Sequence, residues 1–357
     1  MTNAQYYAKL VMQILTLKRR NDMEYSLNKI AQELGLSKTT VSLVLSGKAR
    51  KNRISEEIVK KVKDFCAEVN YVPNIHAQRV NQKFSGNIGF LIKRSIRVDL
   101  NDPFDDYNIN GIMGGIVLAA ENMGCRVAIQ LYTDDMKERR VFDWLRNHEI
   151  DGLIYYGLDM PEKWKQTFMK EGRCIVGIGT EPDKNILSVN TDNFEASSKL
   201  TKYLIDSGRK KFMYLSGIDN TFVSDERKRG FLSALKENGI PFDSENMFSG
   251  EFSESIAEKI VTEFYRDADA IVCANDDMAV GALNALKSLN IEVPNTVAVA
   301  GGDNVAISRY VSPSITTFDN KQHELGSAAV ETIMKMIKGR KAENVILNTD
   351  IIIREST

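Results

Sequence analysis

The chain has 357 residues, of which 43% are hydrophobic and 27% are charged. This composition is typical of globular domains and argues against extensive disorder, and the length predicts more than one compact domain. The formal net charge of −1 conceals a difference between regions, because residues 25–83 carry 11 Lys and Arg against 5 Asp and Glu. A basic front module before a more acidic remainder predicts a polyanionic partner for the front of the chain only.

The first 24 residues contain an apolar run, Leu10–Leu17, which a basic cluster, Lys18–Arg20, follows. A secretory signal would carry its basic residues before the run, and a membrane span would be much longer. We interpret residues 1–24 as a helical N-terminal extension, or as leader sequence if translation starts at Met23, and both alternatives stay open. We therefore expect a cytoplasmic protein with no membrane partner.

The four cysteines are widely spaced and form no CxxC pair. They lie in apolar stretches, which indicates buried thiols in a reducing compartment. The spacing gives no sign of a metal site, and we expect no cofactor. The residues concerned are Cys66, Cys125, Cys174 and Cys273.

Residues 26–45 show the pattern of two short helices joined by a tight turn. Gly35 suits the turn, and Ser37 is predicted to cap the second helix, which stabilises it by about 1 kcal/mol relative to alanine. The residues predicted to pack between the helices are Ile30, Ala31, Leu34, Val41, Val44 and Leu45. Lys38, Thr39 and Ser42 then point outward, an arrangement typical of a helix that reads the DNA major groove. A surface helical hairpin is the alternative, but a third helix over Glu56–Val69, capped by Ser55, favours the DNA-binding interpretation.

From Asn87 onward, apolar runs of strand length alternate with amphipathic segments of helix length. This alternation predicts parallel sheets covered on both faces, and about 270 residues allow two sheets with a cleft between them. Glycines before several runs are predicted to end the preceding helices, at Gly124, Gly172, Gly208 and Gly239. One helix, Gly111–Met123, is predicted to bury Ile112, Ile116, Ala119, Ala120 and Met123. The predicted strands are residues 88–92, 127–131, 153–156, 175–178, 212–215, 270–273 and 297–300.

Four separated motifs occur in an order that resembles the lactose repressor (LacI/GalR) family of transcriptional regulators. They are Leu36-Ser-Lys-Thr-Thr-Val-Ser42, Ile54-Ser-Glu-Glu57, Asn70-Tyr-Val-Pro-Asn74 and the ending Arg354-Glu-Ser-Thr357. The resemblance covers about residues 25–357. It implies a repressor that binds a pseudo-palindromic operator in double-stranded DNA as a homodimer, with a tetramer left open. It also implies that a small molecule, expected to be a sugar or a sugar derivative, controls operator affinity.

The resemblance implies a fold class and a division of the chain. The fold class is an all-α helix-turn-helix DNA-binding domain plus an α/β two-lobed periplasmic-binding-protein-like effector domain. The divisions are an extension over 1–24, the DNA-binding domain over 25–72, a hinge helix and linker over 73–85, and the effector-binding and dimerisation domain over 86–357. Within the last domain, we expect one lobe over about 86–190 and 320–343 and the other over about 191–319 and 344–357.

The same resemblance assigns DNA contacts residue by residue. Lys38 and Thr39 are expected to read base edges, and Ser26, Thr40 and Ser42 to hold phosphates. Leu27 and Ser37 are the other expected DNA contacts in this domain. In the hinge helix, Asn74, Ala77 and Val80 are expected to contact DNA, with Val80 inserted between base pairs of the minor groove. Two positions depart from the family, because Leu43 stands where arginine is common and Val80 where leucine is usual. The operator sequence therefore cannot be carried over from other members.

Matching positions in the larger domain imply an effector site made of Phe104, Arg227, Asn275, Asp303 and Asn320. A guanidinium and a carboxylate can discriminate sugar hydroxyls, because a missing partner leaves a buried polar group unpaired. Each residue also has an ordinary alternative role. Arg227 could form a surface salt bridge, Asp303 could cap a helix, and Phe104 could belong to the core.

An enzyme and a transport-associated solute-binding protein are the competing function classes. The sequence has no GxSxG, GxxxxGK[ST] or HExxH motif, and its three histidines are scattered singly, so we expect no enzyme. The cluster Gly111-Ile-Met-Gly-Gly115 does not fit a dinucleotide-binding fingerprint, and helix packing explains it. A solute-binding protein shares the fold expected after residue 86, but it needs an export signal and has no use for a basic helix-turn-helix.

Overall fold

The computed structural model describes residues 25–71, 84–94, 102–133, 138–157, 160–184 and 186–357. These residues form two compact units, and the second unit begins at Phe84. The predicted extension over 1–24 and the predicted hinge residues Asn74, Ala77 and Val80 lie outside the described residues.

The first unit has three helices, α1 (Leu27–Leu34), α2 (Lys38–Leu45) and α3 (Glu56–Glu68). A serine side chain caps each helix by accepting a hydrogen bond from a backbone N–H of the first turn, as the sequence predicts for Ser37 and Ser55. Gly35 ends α1 with φ of 66°, a left-handed conformation that suits glycine. The chain therefore turns sharply between α1 and α2.

The core of the first unit lies where the three helices meet. Ile30, Val41 and Val62 are fully buried there, one from each helix. The prediction that Val41 and Val44 pack inward is confirmed, while Leu45 is only partly buried at the edge of this core. Lys61 of α3 donates a hydrogen bond to the carbonyl of Leu34 at 3.1 Å, which closes the C-terminal end of α1.

The second unit contains two parallel sheets. The larger sheet has six strands in the order β11-β5-β4-β3-β1-β2. Its strands are β1 (Asn87–Lys93), β2 (Arg126–Tyr132), β3 (Gly152–Tyr156), β4 (Cys174–Ile178), β5 (Leu187–Thr191) and β11 (Val345–Leu347). The helices of this lobe are α4 (Tyr107–Asn122), α5 (Glu138–Arg146), α6 (Glu162–Lys170) and α12 (Gln322–Ile337).

The smaller sheet has four parallel strands in the order β7-β6-β8-β9. These strands are β6 (Phe212–Ser216), β7 (Met247–Ser249), β8 (Ala270–Cys273) and β9 (Ala298–Ala300). The helices of this second lobe are α7 (Asn193–Asp206), α8 (Phe222–Glu237), α9 (Glu254–Phe264), α10 (Asp276–Ser288) and α11 (Ile307–Tyr310). Two short antiparallel strands, β10 (Thr317–Phe318) and β12 (Ile351–Ile352), complete the unit.

Successive residues of β1 point to opposite faces of the six-stranded sheet, and both faces are covered. Phe90 and Ile92 pack in the cluster that contains α4 and α12, whereas Leu91 packs in the cluster that contains α5 and α6. The parallel sheet predicted from continuous apolar runs therefore has the two-sided burial that such runs require.

Glycines allow α4 and α12 to pack very closely. A Cβ atom on Gly115 would lie 2.1 Å from the carbonyl oxygen of His323, and one on Gly326 would lie 2.2 Å from that of Ile112. Both obstacles are backbone atoms, which cannot rotate away. The glycine cluster of residues 111–115 thus serves helix packing, as the sequence indicates.

Three chain segments connect the two lobes, and hydrogen bonds join them to one another. Thr191 donates to the carbonyl of Asn320 at 2.9 Å, and the backbone N–H of Asp192 donates to the carbonyl of Leu347 at 3.0 Å. Thr349 donates to the carbonyl of Asp319. The three crossings therefore lie side by side.

The structure corrects several details of the predicted organisation. The lobe boundary expected at residue 344 falls too early, because β11 pairs with β5 in the larger sheet and the chain leaves the first lobe after Leu347. Helix α4 begins at Tyr107, four residues before the predicted start, because Asp106 caps it by accepting from the N–H groups of Asn108 and Ile109. Met123 is exposed, since it lies at the C-terminal cap where the buried stripe has ended.

Candidate functional site

Helix α2 of the first unit presents a polar outer surface. Lys38 and Thr39 are exposed in its first turn, and Ser42 is half-exposed one turn later. Ser37 accepts from the N–H of Thr40 at 3.0 Å, and the hydroxyl groups of these two residues are 2.8 Å apart. Because Val41 and Val44 hold the inner face in the core, the side chains of Lys38, Thr39 and Ser42 are free to contact an external partner.

A cavity of about 420 Å³ lies between the two sheets of the second unit. Its lining comes from residues that follow the carboxyl ends of strands in both lobes, for example Tyr156, Thr180, Asn275 and Asp303. Carboxyl ends of parallel strands are where α/β folds usually bind ligands, because loops and helix N-termini meet there. The volume suits a small molecule.

Arg227 and Asp303 form a buried ion pair in the wall of this cavity. Nη2 of Arg227 donates to Oδ1 of Asp303 at 2.6 Å, and their side chains are only 3% and 10% exposed. Arg227 comes from α8 and Asp303 from the loop after β9, so the tertiary fold brings together residues that are 76 positions apart. The alternative of an exposed surface salt bridge does not apply to Arg227.

The remaining contacts of Arg227 fix its orientation. Nε donates to Oδ1 of Asn193 at 2.8 Å, and Nη1 donates to the carbonyl of Ala274. The guanidinium carbon lies 4.8 Å from the centre of the Phe318 ring, a distance at which the aromatic face attracts a cation. Arg227 is therefore held on three sides before any ligand binds.

Asn320 belongs to a chain of hydrogen bonds that joins the crossing segments to the first lobe. Its side-chain nitrogen donates to Oδ1 of Asn108 at 2.9 Å, and the side-chain nitrogen of Asn108 donates to the hydroxyl of Tyr156 at 2.7 Å. All three residues line the cavity. Burial raises the pKa of Tyr156, so its hydroxyl keeps a proton that it can donate.

Asn275 lines the cavity and also caps α10. Its side-chain oxygen accepts from the N–H of Met278 at 3.0 Å, and its side-chain nitrogen donates to the carbonyl of Phe252 at 3.2 Å. Part of the hydrogen-bonding capacity of the Asn275 side chain is therefore already used within the protein. Asp303 has no such capping role, because α11, the helix that follows it, has no side-chain cap.

Asp276 is a fully buried carboxyl beneath the loop that carries Asp303. It accepts from the hydroxyl of Thr317 at 2.6 Å and from the N–H of Val305 at 2.9 Å. Burial nevertheless raises its pKa well above the usual range, because desolvation outweighs these two hydrogen bonds. Asp276 holds the loop of residues 301–305 against β10.

Aromatic and amide groups complete the cavity. Phe252 lines it, and a Cβ atom on Gly217 would lie 2.0 Å from its ring, so Gly217 makes room for this ring. Glu251 and Phe252 both have positive φ values, 52° and 59°, an unfavourable conformation that often marks a functional loop. Asn190 lines the cavity from the opposite lobe, and its Oδ1 accepts no hydrogen bond from the described residues.

The structure brings four of the five predicted effector residues into one cavity wall, namely Arg227, Asn275, Asp303 and Asn320. Phe104 does not line this cavity. It lies in a 3-10 turn, Pro103–Asp105, and packs against the core of the first lobe, where its carbonyl accepts from Asn110 at 2.7 Å. The proline before it fixes a turn that directs the ring to the core.

Several lining residues were not predicted from the sequence: Asn108, Tyr156, Asn190, Asn193 and Phe252. Tyr156 ends a strand that was predicted, and this position at a carboxyl end is the signal that could have identified it. Asn190 belongs to β5, where buried Ser188 and Asn190 interrupt the apolar pattern. The strand and its site residue were therefore missed together.

Sequence models of known protein families match parts of both units. The sequence model for "Bacterial regulatory proteins, lacI family" matches residues 26–74, and that for "Periplasmic binding protein-like domain" matches residues 201–357. A relative, the HTH-type transcriptional repressor PurR of Vibrio vulnificus (strain CMCP6), is 27% identical over 344 residues, which are 93% of this chain and 98% of the relative.

Two solved structures share the fold over 94% of this chain. The lac repressor dimer bound to operator and the anti-inducer ONPF has a TM-score of 0.80, with 21% identity and 99% of its chain covered. The complex of the transcriptional regulator CelR with cellobiose has a TM-score of 0.71, with 22% identity and all of its chain covered.

These observations define a helix-turn-helix transcriptional regulator with an α/β periplasmic-binding-protein-like unit that carries a small-molecule cavity. The first unit matches the lacI family of bacterial regulatory proteins, and the chain is similar to regulators of this kind over 93% of its length. It is a DNA-binding regulator and not an enzyme. Among the described residues, no helix is long and apolar enough to cross a membrane.

Proposed function

We propose that this chain is a repressor that binds a pseudo-palindromic operator as a homodimer and that a sugar in the cavity of the second unit changes its operator affinity. The observation that carries the effector part is the buried Arg227–Asp303 pair in a cavity of about 420 Å³. Relatives named as repressors, such as PurR, support the sign of the regulation. Operator binding requires the cytoplasm, where bacterial DNA lies.

The DNA-binding part of the proposal rests on the exposed surface of α2. Lys38 and Thr39 are proposed to read base edges in the major groove, and Ser26, Thr40 and Ser42 to contact phosphates. Leu27 and Ser37 are also proposed to contact DNA. Exposure of Lys38 and Thr39 and the capped, rigid geometry of α2 support this assignment. The proposed hinge contacts Asn74, Ala77 and Val80 lie outside the described residues.

A sugar fits the chemistry of the cavity. Hydroxyl groups both donate and accept hydrogen bonds, and the wall offers donors on Arg227, Tyr156 and Asn320 beside acceptors on Asp303 and Asn190. Phe252 adds an aromatic face, which can pack against the apolar side of a sugar ring. The same fold holds cellobiose in CelR.

The decisive experiment combines DNA binding with ligand titration. Purified protein should shift a DNA fragment from the region upstream of its own gene more strongly than a random fragment of equal length. Titration with a sugar panel should then change the operator affinity, either releasing the protein or tightening its binding. A protein that binds sugars but prefers no DNA fragment would favour a solute-binding role and contradict the proposal.

A further inference from the structure

The described lining of the cavity is acidic. Among the described residues that line it, five are acidic and two are basic. The acidic residues are Asp106, Glu251, Asp276, Asp277 and Asp303, and the basic residues are Lys93 and Arg227. Even when Asp276 is left out, because burial raises its pKa, the lining has more carboxylates than cations.

The positive charge of each cation is already engaged within the protein. Arg227 already donates to Asp303, Asn193 and the carbonyl of Ala274, and Asp303 balances its charge. Lys93 also has an interaction partner within the protein. A carboxylate or phosphate group in this cavity would lose its hydration and gain no unpaired positive charge.

Hydrogen-bond acceptors, in contrast, remain unused. Oδ1 of Asn190 has no partner among the described residues, although Asn190 is only 3% exposed and lines the cavity. Oδ1 of Asp303 accepts from Arg227, while its Oδ2 accepts no hydrogen bond from the described part of the chain. Buried acceptors without partners are costly, so a ligand that donates hydrogen bonds gains affinity here.

We propose that the effector is a hydrogen-bond donor without negative charge, a neutral or amine-bearing polyol, and that the cavity rejects uronates and phosphorylated sugars. This inference rests on the function proposed above and specifies the ligand class of the same cavity. Repulsion by the acidic lining excludes anions, because like charges repel one another strongly in a poorly hydrated site. We expect an anionic derivative to bind at least about tenfold more weakly than its neutral parent.

The test uses matched sugars and the full chain. Calorimetry would compare glucose, galactose and ribose with glucuronate, galacturonate and ribose 5-phosphate, and with glucosamine and galactosamine. We expect each neutral sugar that binds to have an affinity at least about tenfold higher than that of the matched anion. The same difference is expected for the amine, where one is included. An anion that binds as tightly as its parent would overturn the inference.

The same preparation separates this inference from the proposed function. If an anion binds best and also changes operator affinity in a gel shift, the regulator function stands and the inference fails. If none of the neutral, amine-bearing or anionic sugars in a wider panel binds, the proposed sugar effector fails and the inference fails with it.

A variant that removes one negative charge tests whether the acidic lining causes the preference for neutral sugars. Glu251 lines the cavity and has no hydrogen bond or ion pair with the described residues, so Glu251→Gln removes a charge without breaking a contact. We expect the preference for the neutral sugar over its anion to fall by about threefold or more. Glu263→Gln, on the exposed end of α9 and outside the lining, is the matched control and should leave the preference unchanged. Equal preferences in wild type and Glu251→Gln would contradict the electrostatic origin.

Discussion

Nη2 of Arg354 donates a hydrogen bond to Oδ1 of Asn304 at 2.6 Å, and Asn304 directly follows the cavity residue Asp303. Asp303 and Asn304 have positive φ values of 98° and 56°, a conformation that non-glycine residues rarely adopt. Arg354 is itself anchored, because Nη1 donates to the carbonyl of Ile315 at 2.7 Å and to the hydroxyl of Ser308 at 3.0 Å. The end of the chain therefore holds the turn that aims Asp303 into the cavity.

This relationship predicts that Asn304→Ala weakens effector binding although Asn304 does not line the cavity. Loss of one hydrogen bond to a charged group corresponds to about 1.5–3 kcal/mol, so we expect about a tenfold loss of effector affinity or more. Asn304→Asp keeps the acceptor and should retain most of the affinity. Asn290→Ala is the matched control, since Asn290 has φ of 58° on an exposed loop. Calorimetry and urea unfolding on all three variants would separate binding from stability, and equal affinities for Asn304→Ala and Asn290→Ala would contradict the positioning role.

Arg227→Ala is expected to lower effector affinity by about a hundredfold or more, since it removes at least two hydrogen bonds of a charged group from the ligand site. It also leaves Oδ1 of Asp303 and Oδ1 of Asn193 without the donor they have in the buried wall, and breaking such an ion pair costs about 3–5 kcal/mol of unfolding free energy. Arg229→Ala, at an exposed position of the same helix, is the control and should change neither the effector affinity nor the unfolding free energy.

A double variant distinguishes the two roles of Arg227. Arg227→Met combined with Asp303→Asn leaves no unpaired charge, so it should recover part of the lost stability without recovering effector affinity. Urea unfolding and calorimetry provide the two readouts. Recovery of binding together with stability would show that Arg227 supports the fold and does not contact the effector.

Lys38→Ala is expected to weaken binding to the operator more than binding to random DNA, because an exposed residue in the first turn of α2 is proposed to read base edges. The expected loss of discrimination is about 1–3 kcal/mol. Lys60→Ala, an exposed lysine on α3, serves as the control for general loss of positive charge. Gel shifts at several salt concentrations measure both affinities. Equal losses on operator and random DNA would identify Lys38 as a phosphate contact.

Gly115→Ala is expected to destabilise the second unit by about 2 kcal/mol or more, because its Cβ atom would meet the carbonyl oxygen of His323 and separate α4 from α12. Gly172→Ala provides the comparison. Gly172 has φ of 62° and open space around it, so only conformational strain of about 1 kcal/mol is expected. Chemical unfolding of both variants measures the difference, and a smaller loss for Gly115→Ala would show that the two helices can separate at little cost.

The sequence by itself determined the helix-turn-helix, because its signals are local. Serine caps, a glycine with positive φ and an inner apolar stripe act within a few residues, and the structure confirms them at Ser37, Gly35 and Val41. Helix ends at Gly124, Gly172, Gly208 and Gly239 are confirmed for the same reason, since each has positive φ. Long apolar strands were likewise predictable, whereas the short strands β7, β10, β11 and β12 were not, because two or three residues carry no periodicity.

Only the tertiary structure decided which polar residues share the cavity and what each one does there. The motif around Arg227 indicated a site residue, but its pairing with Asp303, its contact with Asn193 and its burial depend on the meeting of α8, α7 and the loop after β9. The same holds for Phe104, which the turn after Asp102 directs to the core, and for Asn190, whose unused oxygen is visible only when its neighbours are in place. Long-range packing sets the distances between groups that are far apart in sequence, and hydrogen bonding and charge balance at a site depend on those distances.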